Sequence, residues 1–152
     1  MYPHAEAWRM NNNAHLYLLQ HLSGRYLGDQ YAPQTRPVAS QFAHIHNVRF
    51  RWLTRAAPEM ADEIAQFARG ANLGKDELIE ALGESGEVMA RFLKQAEMEG
   101  RVHRWEGSLS SFLAYFVSRE THHRSLALAA LEVSGHLPPS EVMDGLWDWS
   151  GK

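Results

Sequence analysis

The sequence predicts an all-α protein, a four-helix bundle in which the whole chain of 152 residues forms a single domain. Apolar residues recur at spacings of three, four and seven in four long segments, and little of the sequence alternates as a half-buried strand would. A chain of this length is the size of one domain and can bury roughly two-thirds of its unfolded surface. The hydrophobic fraction of 45% and the charged fraction of 22% are ordinary for a globular protein. We therefore expect one core.

The first helix is predicted at about residues 6–22, where Gly24 marks its end. The second is predicted to begin near Val38 or Ser40, because the ring of Pro37 suits a helix start, and to end at the "AAPEM" stretch. The residues expected to face the core are Trp8, His15, Leu18, Leu19 and Leu22 in the first helix, and Phe42, Ile45, Val48 or Arg49, and Trp52 in the second.

Residues 58–74 favour short helical turns at best, which predicts a long crossover between the second and third helices. The third helix is predicted from Lys75 to about Glu99 and is followed by Gly100. The fourth begins at the serines of "GSLSSFLAYF", whose hydroxyls can accept hydrogen bonds from its first N–H groups, and continues to Gly135. The tail "EVMDGLWDWSGK" carries two of the five tryptophans, which we expect to pack over one end of the bundle.

Several classes of protein are excluded or disfavoured by composition. No apolar stretch reaches the roughly 18 residues that a transmembrane helix needs, and the N-terminus lacks the pattern of a signal peptide, which predicts a cytoplasmic protein without a membrane partner. The absence of cysteine excludes disulfides, thiolate metal ligands and a cysteine nucleophile. A net charge of −3 without a basic face disfavours nucleic acid as a partner.

The stretch "SRETHHRSLALAAL" places charged residues and histidines in the middle of the fourth helix. Steps of four and three along this helix predict a stripe that faces the interior. On that pattern Arg119 and His123 both point inward, while His122 and Glu120 lie at the two borders of the stripe. The stripe consists of Phe112, Phe116, Arg119, His123, Leu126 and Ala130.

Two interpretations of His123 follow from spacing. It is either a core histidine hydrogen-bonded to a carbonyl or to a carboxylate such as Glu120, or one ligand of a metal site built from facing helices. In the second helix, His44 and His46 are two residues apart and point about 200° away from each other, so only one of them can face the interior. Spacing thus supplies two donors, whereas a typical zinc-like centre needs three from the protein.

Together, "HIHNVRFRWL" in the second helix and "RETHHRSLALAALEVSGHLPPSEVMDGLWDWSGK" at the end resemble the DinB/YfiT-like superfamily over nearly the whole chain. The resemblance implies a four-helix bundle with up-down-down-up connectivity. It also implies a nickel or zinc ion held by one histidine of the second helix and two of the fourth. His44 matches the first ligand and His123 matches the last.

The middle ligand position of the family's H-x-x-x-H pattern is Arg119 in this chain, and a guanidinium has no lone pair for a metal. Three outcomes follow: Glu120 or His122 supplies the third donor, a divalent metal binds weakly through His44 and His123 alone, or no metal binds. An inward Arg119 would repel a dication and could bind a carboxylate or phosphate, or it could form a salt bridge with an acidic residue.

The resemblance implies two classes of function. One is a metal-dependent transferase or isomerase that uses a low-molecular-weight thiol such as bacillithiol, mycothiol or glutathione, because a bound metal lowers the pKa of a thiol. The other is a non-catalytic, stress-associated relative whose former metal site binds an anion or another small molecule; Arg119 favours this second class. The DNA-damage-inducible name of the family refers to regulation and does not predict DNA binding. A homodimer is expected in either case.

Overall fold

The computed structural model describes residues 1–149, and the regular secondary structure in this part of the chain is helical, without a β-strand. No helix within these residues has both the length and the apolar character needed to span a bilayer. The prediction of four long helices is confirmed, and their arrangement is compatible with a helical bundle. The long helices are α1 (Pro3–His21), α2 (Val38–Ala56), α4 (Lys75–Glu99) and α5 (Leu109–Val133); the short ones are α3 (Pro58–Ala61) and α6 (Ser140–Gly145), with a 3-10 helix at Gly24–Tyr26.

The helix ends follow the local signals in the sequence. Helix α5 begins after Ser108, whose hydroxyl accepts a 3.1 Å hydrogen bond from the backbone N–H of Ser111. Helix α4 ends at Gly100, which has a φ of 78°, a left-handed conformation that glycine adopts without steric cost. Gly135, with a φ of 77°, follows α5 in the same way. The predicted bounds of the third and fourth helices are therefore confirmed.

Two apolar clusters form the core, and a polar layer separates them. Helix α1 packs against α4 and α5, and α2 packs against α5 and α4. Along each long helix, residues of one cluster are followed by residues of the polar layer and then by residues of the other cluster. The polar layer therefore lies about halfway along the bundle. The first cluster includes Trp8, Leu53, Met89 and Phe116; the second includes Leu18, Ile45, Leu82 and Ala127. The polar layer consists of Asn11, His15, Arg49, Ser85, Glu120 and Arg124, all buried.

The C-terminal tail differs from the prediction. Trp147 is 80% exposed, so the expectation that it packs over the bundle is wrong. Leu146 is buried instead, since α6 turns this smaller side chain toward the second apolar cluster. Trp149 is half-buried, and its indole N–H donates a 3.1 Å hydrogen bond to the carbonyl of Leu146. Residues 150–152, the end of the tail motif, lie outside the described residues.

Candidate functional site

The carboxylate of Glu120 lies at the centre of the polar layer. Arg49 donates from Nε to Oε2 and from Nη2 to Oε1, both at 2.8 Å, in the two-point geometry of a guanidinium and a carboxylate. Oε1 also contacts His15 Nε2 and accepts from Asn11 Nδ2, each at 3.0 Å. Arg49 further donates from Nη1 to the Leu82 carbonyl and to Ser85 Oγ. Side chains of all four long helices thus meet at one ion pair.

His15 links Glu120 to a second buried arginine. Arg124 Nη1 lies 3.3 Å from His15 Nδ1, and a guanidinium can only donate. His15 therefore accepts at Nδ1 and donates from Nε2 to Glu120, which is the arrangement of a neutral imidazole. Complete burial lowers the pKa of His15, against the opposing effect of Glu120. Burial alone would raise the pKa of Glu120, but the charge and hydrogen bonds of Arg49 outweigh it and hold that pKa well below its usual value.

Arg119 points away from the interior, so the prediction that it faces inward is wrong. Its side chain is exposed, Nη1 donates a 3.1 Å hydrogen bond to the Tyr115 hydroxyl, and its guanidinium lies 5.6 Å from the centre of the Tyr115 ring. Glu120 occupies the inward position in this turn of α5. A buried carboxylate is tolerated there because the charge of Arg49 compensates it. Leu126, also expected inside, is 38% exposed. The buried positions of α5 are Phe112, Phe116, Glu120, Arg124, Ala127, Ala130 and Leu131.

His44 and His123 lie together at the contact between α2 and α5. Their ring centres are 4.4 Å apart with an angle of 63° between the planes, and both residues are half-buried. The carbonyl Oε1 of the buried Gln41 lies 2.9 Å from His123 Nδ1, so it accepts from this nitrogen and fixes the tautomer. The Nε2 lone pair of His123 is then directed away from Gln41. The structure therefore brings together the two histidines that the family resemblance selected.

His46 has a different role from His44, as their spacing predicts. It is buried, and its Nε2 lies 2.7 Å from the Ala65 carbonyl, to which it donates. This bond ties α2 to the segment of residues 62–74. Of the two histidines, His46 is the interior one and His44 faces α5 at the edge of the bundle.

Burial and positive charge keep the histidine pair neutral. Burial is the main cause that lowers the pKa of His44 to about 4, and the charges of Arg36, Arg51 and Arg119 lower it further. Burial also lowers the pKa of His123, as do His122, Arg36 and Arg119. Arginines from three parts of the chain thus surround a pair of neutral imidazoles.

The donors near this pair do not complete a metal site. Glu120 is held in the polar layer with both oxygens hydrogen-bonded, so it cannot serve as the third ligand. His122 is exposed, and its ring centre lies 5.3 Å from that of His123. Among residues 1–149, no group of three or more histidine and acidic side chains could hold a metal ion. A three-ligand nickel or zinc centre does not fit the residues present.

The sequence patterns do not predict several residues of the site. The spacing leaves Arg49 as one of two alternatives for an inward position and puts its partner Glu120 at the border of the stripe. A signal was available: Asn11, His15 and Arg49 are polar residues at inward helical positions, and buried polar groups need partners. The roles of Gln41 and Arg36 depend on tertiary contacts that spacing along one helix does not reveal.

Comparison with known proteins adds no identification. No family model matches this chain, and no curated protein matches it at a significant level.

Proposed function

We propose that this protein binds a small anionic molecule, a carboxylate or a phosphate, at the histidine pair formed by His44 and His123. The family-type metal site is replaced in this proposal by an anion site, and the protein acts as a binding module. The observation that carries the proposal is the set of arginines around two neutral imidazoles.

The charge balance at the pair supports an anion. Arg36, Arg51 and Arg119 are close enough to affect the pKa of His44, and none of them forms an ion pair with a carboxylate among residues 1–149. All three are exposed, and their guanidinium groups can therefore reorient toward a ligand. Guanidinium groups bind carboxylate and phosphate through two parallel hydrogen bonds. The neutral imidazole of His44 can add one N–H donor, whereas the N–H of His123 is already donated to Gln41.

A thermal-shift series with phosphate, sulfate and acetate at constant ionic strength tests the proposal. A ligand that binds only the folded state raises the unfolding temperature, by an amount that depends on its concentration relative to Kd. We expect a saturable increase with at least one anion that is strongly reduced in Arg119→Ala. The matched control is Arg55→Ala, which removes another exposed arginine of α2 that stacks on Trp52, away from the pair. Equal shifts in the wild type and in both variants would contradict the proposal.

A metal- and thiol-dependent transferase or isomerase is the second candidate, and one observation favours it. Gln41 orients His123 in the way that an outer hydrogen-bond partner orients a metal-ligating histidine. The bound metal would supply a thiolate or a hydroxide near neutral pH. The missing third donor and the surrounding arginines count against this candidate, since positive charges repel a dication.

A further inference from the structure

A cavity of about 450 Å³ lies between α2 and the segment of residues 62–74, and His44 is part of its wall. Its volume is within the range of small-molecule sites in proteins, roughly 300–1,000 Å³. Because His44 also contacts His123, the histidine pair borders the cavity at His44. Residues 66–71 and Leu73 form the opposite, outer wall.

Side-chain hydrogen bonds from α2 hold the outer wall of this cavity in place. Asn47 donates from Nδ2 to the Phe67 carbonyl at 3.2 Å and accepts at Oδ1 from the Phe67 N–H at 2.9 Å. His46 donates to the carbonyl of Ala65, two residues before Phe67. An irregular segment needs partners for its backbone polar groups, and these three bonds provide them at the cavity.

Three arginines line the cavity, and no acidic residue does. Arg36 comes from the chain before α2, Arg51 from α2 and Arg69 from the outer wall. All three are exposed, and none forms an ion pair with a carboxylate in the described part of the chain. Arg36 and Arg51 lie near His44, because their charges lower its pKa. Positive charge is thus present on both sides of the cavity, near His44 and on the outer wall.

The lining between the charged residues includes apolar surface. Ala39 and Ala43 of α2 and Phe67 and Leu73 of the outer wall contribute this apolar surface. This part of the lining can contact a carbon skeleton, because apolar side chains gain by contact with apolar groups.

We propose that the cavity binds an organic dianion, a molecule with two anionic groups joined by a carbon skeleton. One anionic group occupies the histidine pair with Arg36, Arg51 and Arg119, and the second pairs with Arg69 at the outer wall. The skeleton lies against Phe67 and the alanines of α2. This inference rests on the proposed function, which requires only the first anionic group.

Calorimetric titration with matched mono- and dicarboxylates tests the inference. The probes are acetate and hexanoate, with one charge, and succinate, adipate and suberate, with two charges at increasing separation. They are titrated at constant ionic strength into the wild type, Arg69→Ala and the control Arg55→Ala. We expect at least one dicarboxylate to bind about tenfold more tightly than hexanoate, which corresponds to one added charged hydrogen-bonded contact. Arg69→Ala should abolish this difference, and Arg55→Ala should preserve it.

The other outcomes separate the two proposals. If mono- and dicarboxylates bind equally well, the second anionic site does not exist, and the proposed anion site at the histidine pair stands. An equal loss of the dicarboxylate preference in Arg69→Ala and Arg55→Ala would show a general effect of charge and would overturn the inference. If none of the carboxylates binds and phosphate also fails in the thermal-shift series, both proposals fail.

Discussion

Arg49 of α2 binds Glu120 of α5 through two hydrogen bonds of 2.8 Å, and both side chains are almost completely removed from solvent. A buried ion pair of this kind adds little net stability compared with apolar residues, but breaking it leaves one charge buried alone. Asn11, His15 and Ser85 complete the hydrogen bonding around it. The pair therefore selects one arrangement of the four long helices, because any shift along a helix axis would separate these partners.

Removal of the Glu120 charge is the most damaging conservative substitution we predict. Glu120→Gln leaves Arg49 buried without a counter-charge, and we expect a loss of about 3–5 kcal/mol in the free energy of unfolding, measured by urea denaturation. Arg119→Ala, one residue away and exposed, should change it by roughly 0.5 kcal/mol or less. Similar losses in both variants would show that Arg119, and not only Glu120, has a structural role.

Two glycines of α4 should respond in opposite ways to alanine. A Cβ at Gly83 meets no atom within 4 Å, so Gly83→Ala should stabilise the protein by about 0.5–1 kcal/mol through the better helix propensity of alanine. A Cβ at Gly86 would overlap the amide of Asn12, which donates to the Leu82 carbonyl. Gly86→Ala should therefore cost about 1–3 kcal/mol. Thermal denaturation of the two variants side by side measures the contrast, and stabilisation by both would refute the close approach of α1 and α4 at Gly86.

Stability should fall in mild acid because of buried neutral histidines. The pKa of His15 lies below that of an unfolded histidine, so the unfolded state binds more protons than the folded state between those two values. The contribution of neutral His15 to the free energy of unfolding is complete above about pH 6.5. It decreases as the pH falls toward about 4, by at most about 1.4 kcal/mol per pH unit. Glu120, whose pKa is lowered, stays ionised through this window.

Urea denaturation between pH 7 and 5 measures this effect. His15→Gln keeps a donor for Glu120 and an acceptor for Arg124 but does not titrate, so it should reduce the dependence on pH. His21→Gln, at an exposed position, should leave it unchanged. An identical pH dependence in the wild type and in His15→Gln would mean that His15 does not titrate as its burial requires.

Arg119→His should place a third metal donor next to His44 and His123. Position 119 is one helical turn before His123, and such residues lie on neighbouring surface of a helix. We expect zinc or nickel affinity, measured by calorimetry on protein without a polyhistidine tag, to rise by more than about tenfold over the wild type. An added His44→Ala should reverse the gain. No gain in Arg119→His would show that position 119 does not reach the histidine pair.

The sequence predicted the helices well because their ends depend on local chemistry. Gly100 marks the end of α4, and the serines around Ser108 mark the start of α5. The orientation of α5 was predicted less well, because apolar periodicity treats a glutamate as an exterior residue. Glu120 is buried only because Arg49, 71 positions earlier in the chain, compensates its charge. The cavity beside His44 was beyond sequence reasoning, since its outer wall is an irregular segment held by Asn47.

The most direct test of the anion site is an NMR titration of the histidine rings with phosphate at pH 7 and constant ionic strength. The account predicts that the ring resonances of His44 and His123 shift along one saturable curve, while those of His21, on the exposed surface of α1, do not move. Unchanged resonances of His44 and His123 at saturating phosphate, or equal shifts of all three rings, would contradict the proposal that this pair binds anions.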